Sequence, residues 1–185
     1  MPLTQLDPAS ALIIVDLQKG ITAYPCAHPM DDIVGRAAKL ATEFRSKNLP
    51  VVLVNVTGSA PGRNESGGSG ATFPEDFAKF VPELDQQPGD IVASKQTWGA
   101  FTGTGLEQTL RDLNVTQVVI CGVATSIGAE STARQAHEAG FHVTLVTDAM
   151  TDVNPEAHAH TVSRIFPRLG ETGTTDEVLA LLAAR

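Results

Sequence analysis

No apolar stretch in the sequence approaches the roughly 20 residues that a membrane-spanning helix requires, so a helical membrane protein is excluded. Met1 to Asp7 carries neither a basic flank nor an apolar centre, so a secretory leader is not expected. Two cysteines are too few for a disulfide scaffold, and a cytoplasmic location is the default expectation. Basic residues are sparse as well: 13 Lys and Arg stand against 21 Asp and Glu, for a net charge of -8, and none cluster in a run. Nucleic acid and anionic membrane call for the opposite balance, so neither is expected as a partner. The acidity reads as solubility.

What the chain does have is material for a core. Of its 185 residues 42% are hydrophobic and 18% charged, which excludes disorder and suits one domain spanning residues 1–185. The pattern alternates between strand and helix. Short apolar runs at 11–15, 51–56, 91–93, 117–121 and 142–146 read as buried strands, and 169–172 as a short sixth. Between them, Ile33, Ala37, Ala41 and Phe44 recur at helical spacing, as do Leu106, Leu110 and Leu113. A further helix is expected over 127–139, with Gly140 as its C-terminal cap. Asn154-Pro155-Glu156 opens another that runs to about Phe166. Thr174 and Glu177 have the spacing of a capping box before a last helix. Apolar strands alternating with helices predict a three-layer α/β/α sandwich around a mostly parallel sheet. Residues 57–74, with five glycines and two prolines, break the pattern; a substrate-covering loop and a floppy insertion are equally open readings.

Familiar motifs are missing. There is no phosphate-binding loop, no nucleophile elbow and no His-Glu-x-x-His, and Gly103-Thr-Gly105 lacks the third glycine of a dinucleotide fingerprint. His158 and His160 lie two apart, on different sides of a helix, which excludes a shared metal and reads as a solvated face. No metal site and no cofactor are expected. What remains is positional, because parallel sheets bind ligands at the carboxyl ends of their strands. Asp16 follows the first strand, Lys95 the third, and Gly122-Val-Ala-Thr-Ser-Ile-Gly128 the fourth. From spacing alone, Asp16 reads as a capping residue and Lys95 as an exposed strand-end lysine. Cys121 reads as a buried hydrophobe and Cys26 as a loop cysteine without a particular duty, which His28 assists only if the loop folds back.

Four stretches, in order, carry a resemblance. They are Ile14-Val-Asp16-Leu-Gln18, Ser94-Lys95-Gln-Thr-Trp98-Gly-Ala100-Phe101, Cys121-Gly122 through Thr132-Ala133, and Val146-Thr-Asp148-Ala149. With them the chain resembles the isochorismatase-like hydrolases over nearly its whole length. The resemblance implies a Rossmann-like sandwich with strand order 3-2-1-4-5-6, a small-molecule substrate and a homodimer or homotetramer. Most such hydrolases cleave amides with an Asp-Lys-Cys triad, and Asp16 and Lys95 match its first two members. The cysteine position is Gly128, so the covalent route through that position is closed. True isochorismatases also tend to carry glycine there and cleave a vinyl ether with an acidic residue, the role this implies for Asp16. Lys95 would then bind the substrate carboxylate or orient Asp16, and Gly128 would leave room for the substrate. Gln18, Trp98, Phe101, Val123, Ala124 and Thr125 are the implied substrate-binding residues, with Thr125 bracing the turn. Arg63 and Arg134 are the other cations nominated near the site. Thr125 and Ser126 carry hydroxyls, but no histidine is expected to serve them as a base. The leading expectation is vinyl-ether hydrolysis of isochorismate or a related enol ether. The alternatives are an amide hydrolase using Asp16-activated water or another nucleophile, and a non-catalytic binder.

Overall fold

The computed structural model describes residues 1–63 and 73–185, so part of the glycine-rich stretch, 64–72, lies outside the described residues. Six parallel strands form one sheet: β1 (Ser10–Val15), β2 (Val51–Val56), β3 (Ile91–Lys95), β4 (Gln117–Val123), β5 (His142–Thr151) and β6 (Glu171–Gly173), in the order β3-β2-β1-β4-β5-β6. Among the described residues, seven α-helical segments accompany them: α1 (Lys19–Thr22), α2 (Met30–Ser46), α3 (Leu106–Asp112), α4 (Glu130–Glu138), α5 (Pro155–His160), α6 (Phe166–Leu169) and α7 (Thr175–Ala183). The expected three-layer sandwich and strand order are therefore observed.

The strands look continuously apolar in sequence because both faces of the sheet are covered. Ile13, Val15, Val52, Val54, Val118 and Ile120 face one layer, which packs on Leu106, Leu110, Ala133 and Phe166. Leu12, Ile14, Val51, Leu53, Val119 and Cys121 face the other, against Ile33, Ala37, Phe44, Val178 and Leu182 of α2 and α7. Asn154 caps α5 by accepting from the Glu156 and Ala157 amides, and Thr174 and Glu177 form the expected capping box. Gly140 takes φ +83° just past α4. No helix among the described residues is long and apolar enough to cross a membrane.

Three departures from the sequence pattern bear on the site. Strand β5 continues beyond its expected end at Val146 to Thr151, through a register shift against β4 from Ile120↔Leu145 to Gly122↔Met150. The turn after β4, Thr125–Ala129, is π-helical and runs directly into α4. A second π-helical turn, Thr161–Ile165, joins α5 to α6. Such turns concentrate at functional sites, because they re-aim side chains.

Gly122 makes the approach of β1 to β4 possible. Its φ is +108°, and a Cβ there would fall 2.1 Å from the Val15 carbonyl oxygen. Backbone on one side and an unfavourable φ on the other leave a side chain no escape. Gly122→Ala should therefore cost at least about 2 kcal/mol of stability in urea unfolding. A variant as stable as the parent would show that the β1–β4 approach is not this tight.

Candidate active site

The strands end at one edge of the sheet, and β1, β3 and β4 deliver the site there. Asp16 follows β1 with φ +53°, a left-handed conformation unusual for a residue with a side chain. Its amide donates to the Val54 carbonyl at 2.9 Å, and its own carbonyl accepts from Gln18 N at 2.9 Å, which fixes that conformation. Lys95, the last residue of β3, reaches across and donates from Nζ to Asp16 Oδ2 at 2.7 Å and to the Thr97 carbonyl at 3.2 Å. Both side chains are buried, with 2% of Lys95 and 8% of Asp16 exposed. The capping-residue and exposed-lysine readings of these two positions are therefore overturned.

The electrostatics follow from that burial. Desolvation pushes the Asp16 carboxyl up to about 6, and the Lys95 charge and hydrogen bond only partly oppose it. Asp16 Oδ1 is buried and has no hydrogen-bond partner. A group with one oxygen held and the other unpartnered is poised to give or take a proton at Oδ1.

Gly128 faces this pair. A Cβ built on it would lie 3.1 Å from Asp16 Oδ2 and 3.0 Å from Val15 Cγ1. Thr132, buried in α4, ties the turn to the strand β3 side: its Oγ1 donates to the Gly128 carbonyl at 2.7 Å and accepts from Ala100 N at 3.1 Å. The Val123–Ala124 peptide leading into the turn is cis. Thr125 is buried and donates to the Thr151 carbonyl at 3.0 Å, so it does brace the turn. Ser126 donates from both N and Oγ to Asp152 Oδ2, each at 2.8 Å.

The chain is similar to known proteins over nearly its whole length. The Isochorismatase domain matches residues 10–177. The chain is 43% identical over 181 residues to the isochorismatase family protein YwoC of Bacillus subtilis (strain 168), covering 92% of each. It is 36% identical to YecD of Escherichia coli O157:H7 over 180 residues, covering 94% of this chain and 96% of that one. The solved structure of an isochorismatase family protein from Burkholderia thailandensis superposes with a TM-score of 0.92 at 36% identity, covering 97% of this chain and 98% of that one. The chain belongs to the isochorismatase family of hydrolases.

Within this isochorismatase-family site, the residues singled out from sequence fall into two groups. Asp16, Lys95 and Gly128 converge, and Val123, Ala124 and Thr125 form the adjoining end of β4 and its turn. Gln18 is buried, and its amide is committed to backbone: it donates to the Val56 and Phe77 carbonyls and accepts from Val56 N. Trp98 is 65% exposed, while Phe101 leans on the core beside Phe141. Arg63 is exposed, and Arg134 pairs with Glu130 of its own helix at 2.9 Å. Cys121 is fully buried, and burial first and Asp148 second push its thiol up. Cys26 is also pushed up, by burial and then by Asp152, the opposite of an activated nucleophile.

The sequence missed one cluster. The loop after α1 does fold back: Ala27 N donates to the Asp152 carbonyl at 2.8 Å and His28 N to Thr151 Oγ1 at 3.1 Å. His28 Nδ1 lies 3.0 Å from Thr151 Oγ1, and its ring meets that of His158 at 4.7 Å. His160 is exposed as expected, but His158 is half-buried, with Nδ1 2.8 Å from Thr125 Oγ1; because the Thr125 hydroxyl donates to the Thr151 carbonyl, this contact does not make His158 a base for Thr125. A signal was present, since a helix opened by Asn154 directly after β5 must place its first turn at the site edge.

Lys95→Met strands a buried carboxyl. Asp16 should then hold its proton to higher pH, so the variant loses stability as pH rises. A deficit of about 3–5 kcal/mol at pH 8, shrinking at pH 5 where Asp16 is protonated, is expected from urea melts at both values. A deficit independent of pH would mean that the pair is not electrostatically coupled.

Proposed function

We propose that this hydrolase cleaves a vinyl ether of the isochorismate class, with Asp16 as the proton donor and no covalent intermediate. The observation that carries this reading is the Asp16 carboxyl itself: buried, held through Oδ2 by Lys95, with Oδ1 unpartnered and protonated up to about pH 6. A base activating a cysteine would need to be ionised and to find a thiol opposite. By the family resemblance position 128 is where that thiol belongs, and Gly128 supplies none.

The chemistry then runs as acid catalysis. Asp16 gives its proton to the terminal CH2 of the enolpyruvyl group, and the double-bond electrons form the new C–H bond. The adjacent carbon becomes an oxocarbenium ion stabilised by its ether oxygen. Water adds to that carbon, and the hemiketal collapses to pyruvate and a cyclic diol while Asp16 regains a proton. Lys95 orients the acid and stabilises the carboxylate it becomes, because the Lys95 bond to Oδ2 strengthens as charge develops there. The missing Cβ at 128 keeps Asp16 Oδ2 free of a side chain that would lie 3.1 Å from it.

Pyruvate release from isochorismate tests this. Wild type should turn over far above background, and Asp16→Asn should lose at least about 100-fold in kcat. On the alkaline side the rate should fall as pH rises through about 6, because the reactive form is the protonated acid. Iodoacetamide should leave the rate unchanged. Loss of activity on alkylation would turn the mechanism toward Cys26, and no pyruvate from wild type would turn the substrate toward an amide.

A further inference from the structure

Water addition to an oxocarbenium ion requires a group that takes a proton from the water as the C–O bond forms. The hydrogen bonds around His158 point to a second group. The Thr125 hydroxyl has a single hydrogen, and it is donated to the Thr151 carbonyl at 3.0 Å. Its 2.8 Å contact with His158 Nδ1 therefore uses a lone pair of Thr125, and the imidazole is the donor. This assigns the neutral ring its proton at Nδ1 and leaves a lone pair on Nε2, for which the described residues offer no partner. Thr151 Oγ1 accepts from His28 N and lies 3.0 Å from His28 Nδ1, a contact that serves either tautomer of that ring.

We propose that His158 is the general base of the reaction, accepting the proton of the attacking water at Nε2. The inference rests on the vinyl-ether reading above. His158 is bonded to the first residue of the same five-residue turn whose fourth residue, Gly128, faces Asp16. In the step, the water oxygen bonds to the cationic carbon and an O–H bond breaks toward Nε2, with the electron pair remaining on oxygen. His158 then returns that proton to the leaving ether oxygen as the C–O bond breaks. The hemiketal hydroxyl proton restores Asp16, and the ketone of pyruvate forms.

The surroundings suit the role. Burial and the neighbouring His28 ring hold the His158 imidazole below the ordinary histidine range, and Asp152 opposes them. Cys26 lies near that same Asp152, and Glu130 is engaged by Thr161 at 2.7 Å and by Arg134. A lowered base keeps its lone pair in the acidic range where Asp16 still holds its proton, so acid and base forms coexist.

The first test needs no substrate. Long-range 1H–15N NMR of the imidazole nitrogens, with His158 assigned through His158→Asn, should find the neutral ring protonated at Nδ1. A proton at Nε2 overturns the proposal. The second test is the pH profile of kcat and kcat/KM on isochorismate for wild type, His158→Asn and, as an exposed control on the same helix, His160→Asn. Asparagine can keep the donor to Thr125 while removing the basic nitrogen. His158→Asn should lower kcat by about 10- to 100-fold with little change in KM and abolish the acid-side limb, while His160→Asn retains both. A His158→Asn enzyme with the wild-type profile overturns this role alone. A wild type that releases no pyruvate overturns the vinyl-ether reading and this role with it.

Discussion

The bond between Lys95 Nζ and Asp16 Oδ2, formed away from water, is the interaction on which the site depends. Two opposite charges in a protein interior gain little net stability, since desolvation offsets most of their attraction. Here that attraction does not even keep the carboxyl in its usual range, because burial outweighs it. The pair is better understood as a positioning device. It joins the ends of β1 and β3, which are separated by β2, and sets which Asp16 oxygen is held and which is left unpartnered. The left-handed backbone of Asp16 serves the same end. A strand continuing in extended form would turn the side chain toward the Leu12 and Ile14 face, whereas the carboxyl meets Lys95 and the 125–129 turn.

Two glycines let that arrangement exist, for different reasons. Gly122 is required by backbone: any Cβ would collide with the Val15 carbonyl that pairs beside it. Gly128 is not required in this way. Its hypothetical Cβ contacts lie at 3.0–3.1 Å, tight but open to small adjustments of Val15 and Asp16 side chains. The backbone thus tolerates a nucleophile at 128 more readily than a methyl at 122, so the glycine at 128 bears on chemistry more than on folding. Thr132 supports this separation, because it fixes the Gly128 carbonyl and the Ala100 amide through one hydroxyl whatever side chain stands at 128.

The layers, the strand sequence and the helix caps were legible because they rest on local chemistry. The unbroken apolar runs of β1 and β4, the asparagine cap at 154 and the capping box at 174 and 177 each depend on residues close in sequence. The fate of Asp16, Lys95 and His158 depends on what packs over them, and spacing carries no such information. Asp16 and Lys95 read as ordinary strand-end polar residues until the resemblance paired them. His158 read as solvated because it and His160 lie two apart, on different sides of a helix. Its partners arrive from elsewhere: Thr125 from the turn after β4, and His28 from a loop that folds back over β5. The extension of β5 to Thr151 was hidden for a related reason, since the register shift past Leu145 interrupts the apolar run that marks a strand.

The protonation state of Asp16 also decides the local charge. When ionised, Asp16 cancels Lys95, and in a chain of net charge -8 nothing in that pair favours an anion. When Asp16 is protonated, the Lys95 charge is no longer compensated by its partner, in a place with little water to screen it. On the vinyl-ether reading, the form able to donate a proton is then also the form better suited to hold a carboxylate. Proton donation reverses this. The carboxylate that remains is stabilised by Lys95, which loosens the hold on the anionic product. On that reading, one buried pair favours a small anion before the proton moves and disfavours it afterwards.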